Sequence, residues 1–109
     1  MRRGDIVTVA FPGDYGKPRP AVVVQSDFFN DTHASILVCP CTSNELETPV
    51  FRIHVTPTPR NGLRVPSSIM VDKIAPIKRE KIGSLIGSLD DETVQQLNRS
   101  LALIVGLIS

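Results

Sequence analysis

Short runs rich in Val, Ile and Thr, separated by stretches of turn-forming residues, fill most of this chain; helical periodicity enters only near its C-terminal end. That succession points to a mainly β architecture. Residues 5–11 mix alternation with β-branched side chains and predict a first strand. Residues 12–18 are dense in Pro, Gly and Asp and read as an exposed loop. A second strand is expected over residues 19–26, where the unbroken apolar run from Ala21 to Val24 implies burial. A polar loop containing Asn30 and Asp31 leads to a third strand at residues 34–42. Residues 51–55 alternate cleanly, so one face belongs to the core and the other to water. Residues 57–62 form a proline-rich turn in which Asn61-Gly62 suits positive φ. A fifth strand is expected at residues 68–72, and one or two shorter ones before Ile86.

The helix begins at Asp90, whose side chain can cap free backbone N–H groups while Asp91 and Glu92 meet the positive end of the helix dipole. Leu89 and Val94 fit a hydrophobic staple. Val94, Leu97, Leu101, Ile104, Val105 and Ile108 fall on one helical face, which predicts packing against the sheet. Several short strands and one terminal helix suggest a small, strongly bent sheet or barrel, and 109 residues suffice for one domain spanning 1–109.

Charge and length limit the function classes. The net charge of +1 gives no global field for nucleic acid, but between Arg52 and Lys81 seven Lys/Arg stand against two acids, Asp72 and Glu80. A basic middle suits a phosphate-bearing partner as well as it suits a solvated surface. The apolar stretch 101–108 is far short of the ~20 residues of a spanning helix, and no signal peptide is evident, so a cytoplasmic protein without a membrane partner is expected. Cys39 and Cys41 would share a strand face too far apart for an unstrained bridge, and only His33 and His54 could join them around a metal; buried, reduced thiols are expected.

Because the fold alone hosts many functions, the polar residues at strand ends matter most. Arg19 stands between Pro18 and Pro20, which stiffen the backbone on both sides and hold the cation extended, next to a loop carrying Asp14, Tyr15 and Lys17. Thr42, Ser43 and Asn44 close the third strand; they can cap a turn, or hydrogen-bond a phosphate or base edge. Asp72 and Lys73 follow the fifth strand, where a solvated ion pair is the ordinary outcome. No Ser-His-Asp signature, glycine-rich phosphate loop or metal motif is evident, and both histidines read as surface residues.

Taken in order, Arg3-Gly4-Asp5-Ile6-Val7, Arg19-Pro20-Ala21-Val22-Val23-Val24-Gln25, Pro40-Cys41-Thr42-Ser43, Val71-Asp72-Lys73-Ile74 and Gly87-Ser88-Leu89-Asp90 resemble the MazF/PemK family of toxin endoribonucleases nearly end to end. The resemblance implies an SH3-like barrel with a C-terminal α-helix, a homodimer, and cleavage of single-stranded RNA without metal or cofactor. It implies Arg19 and Thr42 as the catalytic pair: the 2′-oxygen attacks phosphorus, Arg19 offers a rigid fork to the non-bridging oxygens, and the products are a 2′,3′-cyclic phosphate and a 5′-hydroxyl. The general base is left between Asp14, Asp72 and a differently solvated Arg19. RNA contacts are expected from Asp14, Tyr15, Lys17, Pro18, Ser43, Asn44, Arg64, Asp72 and Lys73, with Tyr15 as a stacking ring. The implied partner protein is a cognate antitoxin.

Two other classes compete. A CcdB-type toxin shares the barrel and poisons DNA gyrase by binding, but has no need of the Arg-Pro and Thr-Ser motifs. An SH3-like adaptor for proline-rich peptides needs an aromatic-lined groove, and this chain has no Trp, one Tyr and four Phe.

Overall fold

The computed structural model describes residues 1–44 and 51–109. Among the described residues, seven strands and two helices follow in the order β1 (Asp5–Ala10), β2 (Pro18–Val23), α1 (Asp27–Asn30), β3 (Ser35–Thr42), β4 (Arg52–Val55), β5 (Ser67–Met70), β6 (Ala75–Lys78), β7 (Ile82–Ser88) and α2 (Asp91–Ile104). All pairings are antiparallel, in the order β4-β5-β3-β2-β1-β7. The long strand β3 is the hub: residues 38–40 pair with β2, residues 35–38 with β6, and Cys41 and Thr42 with β5. The result is a bent, barrel-like sheet that does not close.

The Ala21–Val24 run is apolar throughout because both faces of the sheet are covered. Val22 and Val24 enter one core with Ile6, Cys39, Cys41, Ile53 and Ile69. Ala21 and Val23 enter a second with Val7, Val9, Ile36, Val38 and Ile77. Helix α2 closes the first core with fully buried Leu97, flanked by Val94, Leu101 and Ile104. Burying a leucine of this kind is worth about 2 kcal/mol in transfer free energy. Asp90 caps the helix as its position suggested, accepting from the Thr93 N–H at 2.7 Å; the bonds from Thr93 hold its carboxyl below the usual range.

Both cysteines are free, buried and on the same face of β3; burial pushes each thiol up to about 12. Gly4 (φ 90) turns the chain so that its N–H donates to Val23 and its carbonyl accepts from Leu89, tying the N-terminus to both β2 and the entry of α2.

Three local expectations are corrected. The polar loop around Asn30 contains the short helix α1, capped by Ser26 and held by a buried network in which Gln25 and Asn30 exchange hydrogen bonds and Asp27 accepts from the Arg3 N–H. Strand β5 stops at Met70, and Asp72 lies in a 3₁₀ turn, Val71–Lys73. Helix α2 ends at Ile104, with Gly106 at φ 81 just beyond it, so Val105 and Ile108 leave the helical face and are exposed.

Candidate active site

Arg19 is the second residue of β2, opposite Val9 of β1. Its Nε donates to Asp14 Oδ2 at 2.9 Å, with the two side chains 50% and 26% exposed. Asp14 is brought there by the tight β1–β2 loop, in which Asp14 N–H donates to the Phe11 carbonyl and Lys17 N–H to the Asp14 carbonyl. The loop needs left-handed backbone at Gly13, Tyr15 and Gly16; Tyr15 adopts φ 54 at a cost glycine would not incur. With Nε occupied, the two terminal nitrogens of Arg19 make no hydrogen bond among the described residues, and they form the face a phosphate would meet.

The β2–β3 ladder ends at Ala21↔Pro40, and Arg19 and Thr42 each lie two residues beyond it on their strands. Strand alternation puts Arg19 on the face of Ala21 and Val23 and Thr42 on the face of Ile36 and Val38, both faces of the second core. On its other edge, Thr42 pairs with Ser68, and Ser68 pairs with His54. His54 Nδ1 lies 3.1 Å from Ser68 Oγ. A row Thr42–Ser68–His54 therefore crosses three strands. The sequence read His54 as a surface histidine and Ser68 as the start of a strand, and gave no sign that they meet, because the row exists only through strand pairing. Thr42 Oγ1 itself accepts from the Asn44 N–H at 3.1 Å, which fixes the hydroxyl and folds Ser43 and Asn44 into an exposed turn beside it.

The other expected residues divide. Asp72 sits 3.6 Å from Arg52 Nε, beyond hydrogen-bond range, and that nitrogen is buried with no hydrogen-bond partner among the described residues. Asp72 is thus directed to Arg52 of β4, whereas the carboxylate at Arg19 is Asp14. Lys17 and Lys73 are exposed. Pro18 and Arg64 line a groove of about 450 Å³ with Thr8, Pro20 and Leu63. Strand alternation puts Pro18 and Pro20 on the face opposite the Arg19 side chain. Tyr15 is fully exposed and lines a larger groove, about 610 Å³, with Phe11, Pro76, Ile77, Lys78 and Lys81. Lys78 and Lys81 escaped notice in the sequence, where they were only part of a basic stretch. Among the described residues, no three metal-ligating side chains cluster, and no helix is long and apolar enough to cross a membrane.

Comparison with known proteins agrees with this architecture. A protein named "Probable endoribonuclease MazF" from Mycolicibacterium smegmatis (strain ATCC 700084 / mc(2)155) is 40% identical over 108 residues, 98% of each chain. Endoribonuclease EndoA of Bacillus subtilis (strain 168) is 25% identical over 99% of this chain and 97% of its own. Among solved structures, an endoribonuclease in complex with its cognate antitoxin from a mycobacterial species superposes with a TM-score of 0.83 at 18% identity, covering 100% of this chain and 98% of that one. Mycobacterium tuberculosis toxin MazF-mt6 gives 0.81 at 20% identity, covering 96% and 99%. The family profile described as "PemK-like, MazF-like toxin of type II toxin-antitoxin system" matches residues 2–105, and with the 40% identical relative this shows that the chain belongs to that family.

Proposed function

We propose that this chain is, as one domain, the toxin of a toxin–antitoxin pair, and that it cleaves single-stranded RNA with Arg19 and Thr42 at the scissile phosphate. The observation that carries the reading is the anchored arginine: Nε is held by Asp14 at 2.9 Å, leaving the terminal nitrogens to face a phosphate. Attack of the ribose 2′-oxygen forms a P–O2′ bond and breaks the P–O5′ bond. Negative charge grows on the non-bridging oxygens, where a guanidinium fork matches two oxygens at once and costs no reorganisation. Thr42, fixed by the Asn44 N–H, donates its hydroxyl proton to the same phosphate. Asp14 takes the 2′-hydroxyl proton, since of the two candidate carboxylates it is the one in contact with Arg19. The leaving 5′-oxygen is protonated from solvent. The products are a 2′,3′-cyclic phosphate and a 5′-hydroxyl, with the guanidinium supplying the charge stabilisation that a metal supplies elsewhere.

The family's pairing of toxin with antitoxin, and the relative solved with its cognate antitoxin, support an antitoxin as protein partner. The toxin would act as a homodimer in the cytoplasm, where messenger RNA is found. The test is cleavage of a long, mixed-sequence single-stranded RNA in EDTA by wild type and Arg19→Ala. Discrete fragments from wild type alone support the reading. Equal cleavage by both proteins, or none by wild type, overturns it.

A further inference from the structure

A groove of about 610 Å³ lies at the seam where the sheet fails to close. Among the described residues, β6 pairs only with β3, and its residues Pro76, Ile77 and Lys78 line one groove with Ala10 and Phe11 at the end of β1. Phe11 and Ile77, both part of or packed on the second core, form an apolar floor. Tyr15 stands exposed at one wall, and Lys78 and Lys81 stand exposed at the other. The neighbouring charges are otherwise committed or turned away. The Arg79 guanidinium donates to the backbone carbonyls of Asn30 and His33, and Glu80 does not line the groove. Successive residues of a 3₁₀ turn point about a third of a turn apart, so Lys81 faces the seam while Arg79 faces inward.

The groove and the Asp14–Arg19 pair share the β1–β2 loop. Gly13, Tyr15 and Gly16 line it, while Asp14, between them, turns to Arg19. A volume of about 610 Å³ falls in the ~300–1,000 Å³ range of small-ligand sites. Apolar Phe11 and Ile77 with an exposed ring match a nucleotide's base, and two exposed lysines match its phosphate, while the loop they share with Asp14 leads toward Arg19 and the scissile phosphate.

Resting on the endoribonuclease reading, we infer that the seam holds a nucleotide of the RNA strand flanking the cleaved bond. Its base lies over Phe11, Ile77 and Tyr15, and its phosphate lies between Lys78 and Lys81. The seam is then a specificity subsite: what the enzyme demands beside the cut depends on which base fits this floor.

A 12-nucleotide randomised single-stranded RNA pool, 2′-O-methylated so that it cannot be cut, tests this by fluorescence anisotropy against salt. Lys78→Ala/Lys81→Ala is expected to weaken binding at least tenfold. It should also flatten the log K against log salt slope by about 0.7, the value for one phosphate contact on a single strand. Tyr15→Ala is expected to weaken binding about fivefold or more with the slope unchanged, since stacking releases no counterions. Arg99→Ala, on exposed helix surface, serves as a control and should match wild type. The lysines are exposed, so melting curves of the double variant should superpose on wild type.

Unchanged affinity and slope in the lysine variant, or no binding by wild type, overturns the inference. Loss of antitoxin binding with RNA binding intact also overturns it and gives the seam to a protein. A wild type that cuts RNA beside a lysine variant with unchanged binding refutes the seam alone. A wild type that binds through the lysines but cuts nothing refutes the nuclease alone.

Discussion

Asp14→Asn separates the two tasks of the Asp14 carboxylate. An asparagine carbonyl oxygen in place of Oδ2 still accepts from Arg19 Nε, so the arginine stays aimed; what is lost is the charge and the ability to take a proton. At 2.9 Å the Coulomb energy of the pair is about 1.4 kcal/mol in bulk water and about 6 kcal/mol at an effective dielectric of ~20. Arg19 is 50% exposed and Asp14 26%, so solvent screening and side-chain entropy leave a net ~0–1 kcal/mol. The melting temperature should therefore fall by at most ~4–8 °C. A lost general base costs ~10²–10⁴ in rate, and kcat should fall by that order with KM nearly unchanged. A fluorogenic oligonucleotide carrying the mapped cleavage site gives kcat and KM, and circular dichroism gives the melt. If the Asn variant keeps more than roughly a third of wild-type kcat, Asp14 only positions Arg19 and the proton goes elsewhere.

Arg19→Lys keeps the charge but loses the fork and the Nε donor, so kcat should drop ~10²–10³ with little change in fold; Thr42→Val should cost less, because Arg19 remains, and lysine activity near wild type would contradict the assigned geometry. Gly62→Ala places a Cβ against the Ile86 carbonyl oxygen at φ 66 and should destabilise by ~1–3 kcal/mol, read as a lower melting temperature. Cys39 and Cys41, with thiols raised to about 12 by burial, should resist alkylation at pH 8 until the protein is denatured. A raised folded value means that their contribution to stability is complete below the ordinary value of 9.0. It is lost as pH climbs from there toward about 12, so urea midpoints should fall over that window.

What could be read from the sequence was whatever local pattern dictates. The strands around Val7, Val22 and Val38 announced themselves because β-branched runs between turn formers have few alternatives, and Asp90 marked the start of α2 by its capping chemistry. The four-residue α1 was hidden because its stability comes from Gln25, Asn30 and Arg3, and Arg3 is far away in the chain. Asp72 looked like a strand end because nothing local distinguishes a 3₁₀ turn from one more extended residue. Arg19 and Thr42 could be linked only through family resemblance, since the β2–β3 register that carries both strands to one region is revealed by no periodicity. The Ser68–His54 contact and the Lys78–Lys81 wall are likewise products of pairing and of an unclosed seam. Tyr15 was marked as an exposed ring, but its left-handed backbone, which turns Asp14 toward Arg19, was not foreseeable in a residue that avoids that region.

The central claim is that the 2′-hydroxyl beside the cut, and not water, attacks the phosphorus. Once the cleavage site is mapped, a single 2′-deoxy nucleotide placed on the 5′ side of that bond tests it directly. Cleavage there should disappear, while the all-ribose strand yields 2′,3′-cyclic phosphate and 5′-hydroxyl ends by mass spectrometry. Cutting of the deoxy-substituted strand, or 5′-phosphate ends from the natural one, would contradict it.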